Sequence, residues 1–423
     1  MSVIFAVIAV VAVATLVALA LLVLFEPPLA YRVTAPDVPL DSDAFMRIIG
    51  ATCDAEVARV DAFEVMHDGA SFYASELAAI AAAQRTIHIE AFIFHPSIAG
   101  DRFVAALAEA ARNGVQVRVL VDAIGSFPTP DRYFDPIRAN GGHVAWYQPI
   151  RWFTLKRFNN RTHRELVIVD GAIGYIGGAG IGAHWLDPQD GSRAWRDTMV
   201  RVTGSVVAGM QGAFLDNWLE ATGDILTDPQ LYLPPSTEGR RNAVVVSSVP
   251  SPARGSRARV LFQVLLASAT RSIDINTPYF LPDEGGRNEL MRAARRGVRV
   301  RIVMPGKANN HPIARRASRT YYGELLDAGV EIFEYQPGMI HAKIFIVDGT
   351  WSVVGSTNFD NRSFELNDEV NLAANDPALA TRLLEDFAMD LVQSVPITDA
   401  AWRARSWRER LAGAASLLLA RQV

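Results

Sequence analysis

His341-Ala342-Lys343-Ile344-Phe345-Ile346-Val347-Asp348, followed by Gly355-Ser356-Thr357-Asn358, is the stretch that decides the fold. On an extended strand, side chains two apart share a face, so His341 and Lys343 point the same way. The apolar run Ile344 to Val347 reads as a strand anchored in a core. Gly355 and Ser356 allow close backbone approach, and Asn358 adds an amide. A histidine, an ammonium and an amide on one side make an anion site that contains a nucleophile. Lys343, Asn358 and Ser356 are the phosphate-binding candidates.

The first half of the chain carries a matching run. His163-Arg164-Glu165-Leu166-Val167-Ile168-Val169-Asp170 is followed by Gly177-Gly178-Ala179-Gly180. The His-to-Asp and Asp-to-Gly intervals are the same in both copies. Further echoes lie upstream. Ile87-His88-Ile89-Glu90 matches Ile273-Asp274-Ile275-Asn276. Helical patterns end at Gly114 and Gly297, each followed at once by an alternating strand, Val115 to Leu120 and Val298 to Val303. Strand–helix–strand units predict an α/β fold of two pseudo-symmetric halves, each a mostly parallel sheet flanked by helices. The expected boundaries are 61–235 and 236–398.

These motifs resemble the phospholipase D superfamily, whose repeated signature is HxKxxxxD, then a Gly pair or Gly-Ser, then Asn. The second copy matches throughout, including Asn358-x-Asp360-x-Arg362-Ser363 and Leu366-Asn367-x-Glu369. Thr277 to Asp283 and the surroundings of Gly297 look most like the bacterial cardiolipin synthases. The resemblance implies two histidines facing each other across a cleft. It implies a catalytic set of His163, His341, Lys343, Asp170 and Asp348, with the two aspartates bracing the motif strands. His163 would attack phosphorus and His341 would act as acid and base. The family places an acidic residue some thirty positions after each histidine, which here gives Asp197 to His163 and Glu369 to His341. No metal or other cofactor is implied. The substrate implied is an anionic phospholipid, phosphatidylglycerol, and the reaction is cardiolipin synthesis. Alternatives are a phospholipase D hydrolase or transphosphatidylase with another acceptor, a superfamily nuclease, and a weakly active lipid-binding homologue.

The first copy departs from the signature twice, with Glu165 in place of Lys and Gly180 in place of Asn. An anion replaces a cation near the expected phosphate, which is unfavourable unless it is paired or protonated. Glu165 could pair with Lys343 or Arg161, the first half could be degenerate, or the Glu could serve a different chemistry.

The 423 residues carry a net charge of −4, which speaks against nucleic acid as the main partner. The single cysteine, Cys53, excludes an internal disulfide. The uncharged apolar run Ser2 to Phe25 reads as a single transmembrane anchor, followed by a linker over 26–60. Arg32 and Arg47 follow the span and no basic residue precedes it, which orients the catalytic part to the cytoplasmic side of a bacterial inner membrane. At the other end, 399–423 reads as a basic amphipathic helix with a stripe of Ala404, Trp407, Leu411, Ala415 and Leu418. That stripe is open to two uses, an anionic lipid interface or the protein's own core. The cluster Arg315, Arg316 and Arg319 reads as a solvated helix face.

Overall fold

The computed structural model describes residues 2–24, 31–150, 159–188, 191–229, 239, 241–250 and 256–417. In the first half, strand Thr86–Ala91 leads into helix Ile98–Arg112 and then strand Gln116–Asp122. Ser97 starts the helix by accepting a hydrogen bond from the amide of Gly100, and Phe103, Leu107 and Ala111 turn inward. Gln116–Asp122 pairs in parallel with Thr86–Ala91 on one side and His143–Tyr147 on the other. The second half repeats the unit with strand Ser272–Asn276, helix Glu284–Arg295 and strands Arg299–Pro305 and Glu331–Tyr335, again paired in parallel.

Most of the other pairings are antiparallel, so the sheets are mixed, which corrects the mostly parallel arrangement expected. In the first-half sheet two of six pairings are parallel. Motif strand Leu166–Val169 turns directly into Ile173–Gly177, as Ile344–Val347 turns into Trp351–Gly355. Consecutive strands can pair in parallel only through a long crossover, usually a helix; a tight turn forces antiparallel pairing.

Alternation along the motif strands welds the halves together. Leu166 and Ile168 face the same core cluster as Ile344 and Ile346, together with Val200 and Leu372. Val167 and Val169 face a first-half core, and Phe345 and Val347 a second-half core. Each motif strand is therefore buried on both faces, which explains its unbroken apolar sequence.

Within the stretch expected to be a linker, helix Asp43–Thr52 buries Phe45 and Ile49 in the second-half core. Strand Val57–Val60 pairs with Arg241–Ser248, so it belongs to the second half's sheet although it precedes the first half. Residues 26–30 of that stretch lie outside the described residues.

Ser2–Leu24 is helical and carries no charged residue. Among the described residues no helix is long and apolar enough to cross a membrane; Phe25, the last residue of the expected span, lies outside them. The tail is two helices, Asp399–Arg403 and Trp407–Leu417, where one was expected. Gly413 and Ser416 are buried, whereas Trp407 and Leu411 of the expected apolar stripe are exposed; Leu418 lies outside the described residues. The tail docks by its small-residue face and leaves its apolar stripe outward.

Candidate active site

His163 and His341 stand in the extended segments just before the motif strands, and both are buried. The amide of His163 donates to the carbonyl of Asp368 (2.9 Å), and that of His341 to the carbonyl of Arg196 (2.6 Å). Arg161–Thr162 pairs in parallel with Asn367–Asp368, and Ile340 with Arg196. Each histidine is thus stitched to a segment of the other half.

That stitching corrects the expected carboxylate partners. Asp197 Oδ2 lies 2.8 Å from His341 Nδ1, and Glu369 Oε1 lies 3.1 Å from His163 Nδ1. The pairs cross between halves, because the segment beside each histidine carries the acid of the opposite repeat. Sequence separation along one repeat cannot reveal a contact made between repeats. In both cases the carboxylate takes Nδ1 and leaves Nε2 on the other side of the ring; at His341 that Nε2 lies 3.2 Å from Lys343 Nζ.

The two carboxylates are themselves held. Asp197 accepts from the indole of Trp185 (2.9 Å) and the amide of Thr198 (2.8 Å). Glu369 accepts from the Ser356 hydroxyl and from Asn367 Nδ2 (3.3 Å). Burial pushes Asp197 up, but its contacts with His341, Lys343 and Thr198 outweigh that and hold it below the usual carboxylate range. Gly178 is required beside it: a Cβ there would sit 2.5 Å from Asp197 Oδ1 and 3.0 Å from Lys343 Nζ.

Lys343 Nζ donates to the carbonyl of His341 (2.9 Å) and lies close to its ring. Burial, with neighbouring carboxylates opposing, brings Lys343 down to about 8. Burial and the Lys343 charge bring His341 down to about 4. Asn358 is buried with its Oδ1 lacking a hydrogen-bond partner among the described residues. Ser356, expected to bind phosphate, spends its hydroxyl on Glu369 and accepts from the amide of Val370 (3.0 Å).

Asp170 and Asp348 sit at the far ends of the motif strands. Asp170 accepts from the amides of Gln84, Arg85 and Thr86, and Asp348 from those of Thr270, Arg271 and Ser272. Both occupy the left-handed region, at φ 55° and 54°. They clamp the turn that precedes strands Thr86–Ala91 and Ser272–Asn276; grouping them with the reacting residues is corrected accordingly.

Glu165 makes no ion pair with Lys343 or Arg161 among the described residues. Arg161 turns instead to Asp122 (3.5 Å) and the carbonyl of Gln148 (2.9 Å). Glu165 Oε1 lies 3.4 Å from the amide of Ile93. Burial drives its carboxyl well above the usual value, only partly offset by the Ile93 amide and Lys343, which favours the neutral acid. A Cβ at Gly180 would meet the Ile93 carbonyl at 2.6 Å and Glu165 Oε1 at 2.9 Å. The two departures from the motif therefore fit one another, with Glu165 pressing into space that a side chain at 180 would need.

An aromatic wall completes the site. Trp195 lies 5.2 Å from the His341 ring and His184 stacks on Trp195 at 4.5 Å, while Phe92 meets His163 edge-on at 5.2 Å. Sequence reasoning assigned no role to Trp195 or Phe92. Trp195 stands two before Asp197, the spacing that shares a face on an extended segment, and that was the available signal. Among the described residues no cluster of His, Cys, Asp and Glu could hold a metal ion.

A family model described as "Cardiolipin synthase, PLD-like domain" matches residues 77–191 and 263–391. The chain is 34% identical over 358 residues to the cardiolipin synthase of Geobacillus thermodenitrificans, covering 84% of this chain and 71% of that protein. It is 36% identical over 338 residues to cardiolipin synthase A of Pseudomonas entomophila, covering 79% and 69%. Its fold is similar to the crystal structure of phosphatidylserine synthase from Haemophilus influenzae Rd KW20, with a TM-score of 0.68 at 14% identity over 90% of this chain and 100% of that one.

Proposed function

Because the chain belongs to the cardiolipin synthase, PLD-like domain family, we propose that it moves a phosphatidyl group from one phosphatidylglycerol to the hydroxyl of a second, forming cardiolipin and releasing glycerol. The observation that carries this reading is the pair of histidines, each with a carboxylate on Nδ1, close enough to interact and set beside Lys343.

In the first step His163 Nε2 attacks phosphorus. The N–P bond forms as the P–O bond to glycerol breaks, and His341 gives its proton to the departing oxygen. In the second step the incoming hydroxyl loses its proton to His341 and attacks phosphorus, and the N–P bond breaks. The shorter contact between His341 and Asp197 supports the proton-carrying role, since it favours the imidazolium. Burial first and the Lys343 charge second depress His341 in the cleft; a bound phosphodiester anion adds negative charge beside the ring and raises the imidazole again. Lys343 and Asn358 hold the non-bridging oxygens. A neutral Glu165 spares the phosphate a facing anion.

The uncharged helix Ser2–Leu24 supports membrane anchoring in this reading. Arg32 and Arg47 after it support a cytoplasmic catalytic part at a bacterial inner membrane.

The test is a lipid-product assay on purified full chain with labelled phosphatidylglycerol, run beside His163→Ala, His341→Ala and Glu165→Lys. Cardiolipin with glycerol is expected from wild type. Each histidine variant is expected to lose at least ~10²-fold in rate. Phosphatidic acid as sole product would reassign the protein as a hydrolase. Product from Glu165→Lys but none from wild type would overturn the proposed activity.

A further inference from the structure

Away from the histidine cleft, helix Pro312–Ser318 and the two tail helices enclose a cavity of about 630 Å³. Arg315, Arg316, Arg319, Arg403, Arg405 and Arg410 line it, and Glu409 is the one carboxylate in the lining. The arginines expected to form a solvated helix face line this cavity, with Arg316 exposed and Arg315 and Arg319 half-buried.

The charges do not balance. Arg315 (3.0 Å) and Arg319 share Glu334, and Arg319 also reaches Glu409 (3.0 Å). Arg403 pairs with Asp327 and Asp399. Arg405 and Arg410 form no ion pair among the described residues: Arg405 donates to the carbonyls of Trp402 and Arg319 (2.8 and 3.1 Å) and lies over the Trp402 ring at 3.7 Å, and Arg410 donates to the carbonyl of Arg403 (2.6 Å). The Arg316 guanidinium has no partner among the described residues. Six guanidinium groups thus meet four carboxylates, and three of the six pair with none. Partial burial pulls Arg405 down; the Glu409 charge opposes that, and Arg319 and Arg410 add to it as like charges. Crowded like charges around an open volume are relieved by an anion, and guanidinium forks match the paired oxygens of a phosphate.

We propose that this cavity is a second phosphate-oxyanion site, separate from the histidine cleft, that takes the headgroup of an anionic phospholipid. Helix Trp407–Leu417 forms one wall of the cavity and carries Trp407 and Leu411 on the outside, 68% and 62% exposed. An apolar face beside a cationic pocket suits a ligand with a phosphate at one end and acyl chains at the other. Free phosphate shares the headgroup chemistry but has no use for that face. The assignment does not depend on which reaction the cleft performs.

The test is calorimetric titration of full chain in a maltoside detergent, in a His341→Ala background so that nothing turns over. Probes are dihexanoylphosphatidylglycerol, dihexanoylphosphatidylcholine and inorganic phosphate. Arg316→Ala/Arg410→Ala removes two guanidinium groups that hold no carboxylate, and Arg316→Lys/Arg410→Lys keeps their charge. The expected result is a phosphatidylglycerol site weakened roughly tenfold or more by the alanine pair, on the scale of one charge-assisted bond, and kept by the lysine pair. Phosphatidylcholine and phosphate are expected to bind far more weakly. Phosphate binding as tight as the lipid, and lost in the same variant, would overturn the headgroup assignment in favour of the free anion. Equal phosphatidylcholine binding, or phosphatidylglycerol binding unchanged in the alanine pair, would overturn the site itself.

Discussion

At the scale of single residues, Glu165 and Gly180 are two halves of one change. Any side chain at 180 meets the Ile93 carbonyl first and Glu165 second. Gly180→Ala is therefore expected to destabilise the protein by about 1–3 kcal/mol, as overpacked cores do. Most of that cost should survive in Gly180→Ala/Glu165→Ala, because the backbone oxygen is still there; denaturant melts of the single and double variants check this. The sequence showed both departures but not their contact, since residues fifteen apart along a motif touch only once the strand and the Gly-rich turn have been folded together. The pairing of Glu165 with a cation was legible as a requirement of charge. What the sequence lacked was burial, which lets a carboxyl solve the same problem by keeping its proton.

At the scale of elements, helix Gly69–Ala82 buries Glu76, and burial alone pushes that carboxyl up to about 8. An acid with a raised folded-state value keeps its proton where the unfolded chain has lost it. Its contribution is complete below about 4.5 and is eroded as pH rises toward 8. Glu76→Gln is neutral at every pH. The variant should match wild type near pH 4.5 and exceed it by roughly 1–3 kcal/mol at pH 8; melting curves across that range test the sign. A gap that opens toward acid instead would contradict a carboxyl held neutral by burial. The element pattern was read well where hydrophobic period and turn residues agree, as in Ile98–Arg112 and the two motif strands. It was misread at Asp43–Thr52 and Val57–Val60, where prolines upstream suggested a linker. What orders those residues is a docking surface and a strand edge supplied by the second half, neither of which is local. The tail stripe was correctly read as apolar, but which face docks was set by small residues that let two helices approach.

At the scale of the whole molecule, the repeat boundary in the sequence is not a boundary in the fold. Val57–Val60 crosses into the second sheet, a shared core joins Ile168 and Val200 to Ile344 and Leu372, and both histidines take their carboxylates from the opposite half. Residues 61–235 or 236–398 expressed alone should expose that core and aggregate. Even if held in solution, either piece should lack lipid-transfer activity. Co-expression of 1–235 with 236–423 should restore some activity, measured as labelled product. Activity from a single half would show that the crossed pairs are dispensable.

The crossed pairs also bear on how such a site can change over time. If one repeat paired with a second copy of itself, the same exchange of carboxylates would complete two identical histidines, so duplication within one gene is not needed to build the cleft. What fusion adds is the freedom to alter one side alone. In a symmetric pair, a Lys-to-Glu change would strike both positions at once and remove both ammonium groups from the phosphate pocket. In the fused chain Lys343 remains in one repeat while Glu165 and Gly180 stand in the other, and the two sides of a formerly equal cleft can take up unequal work.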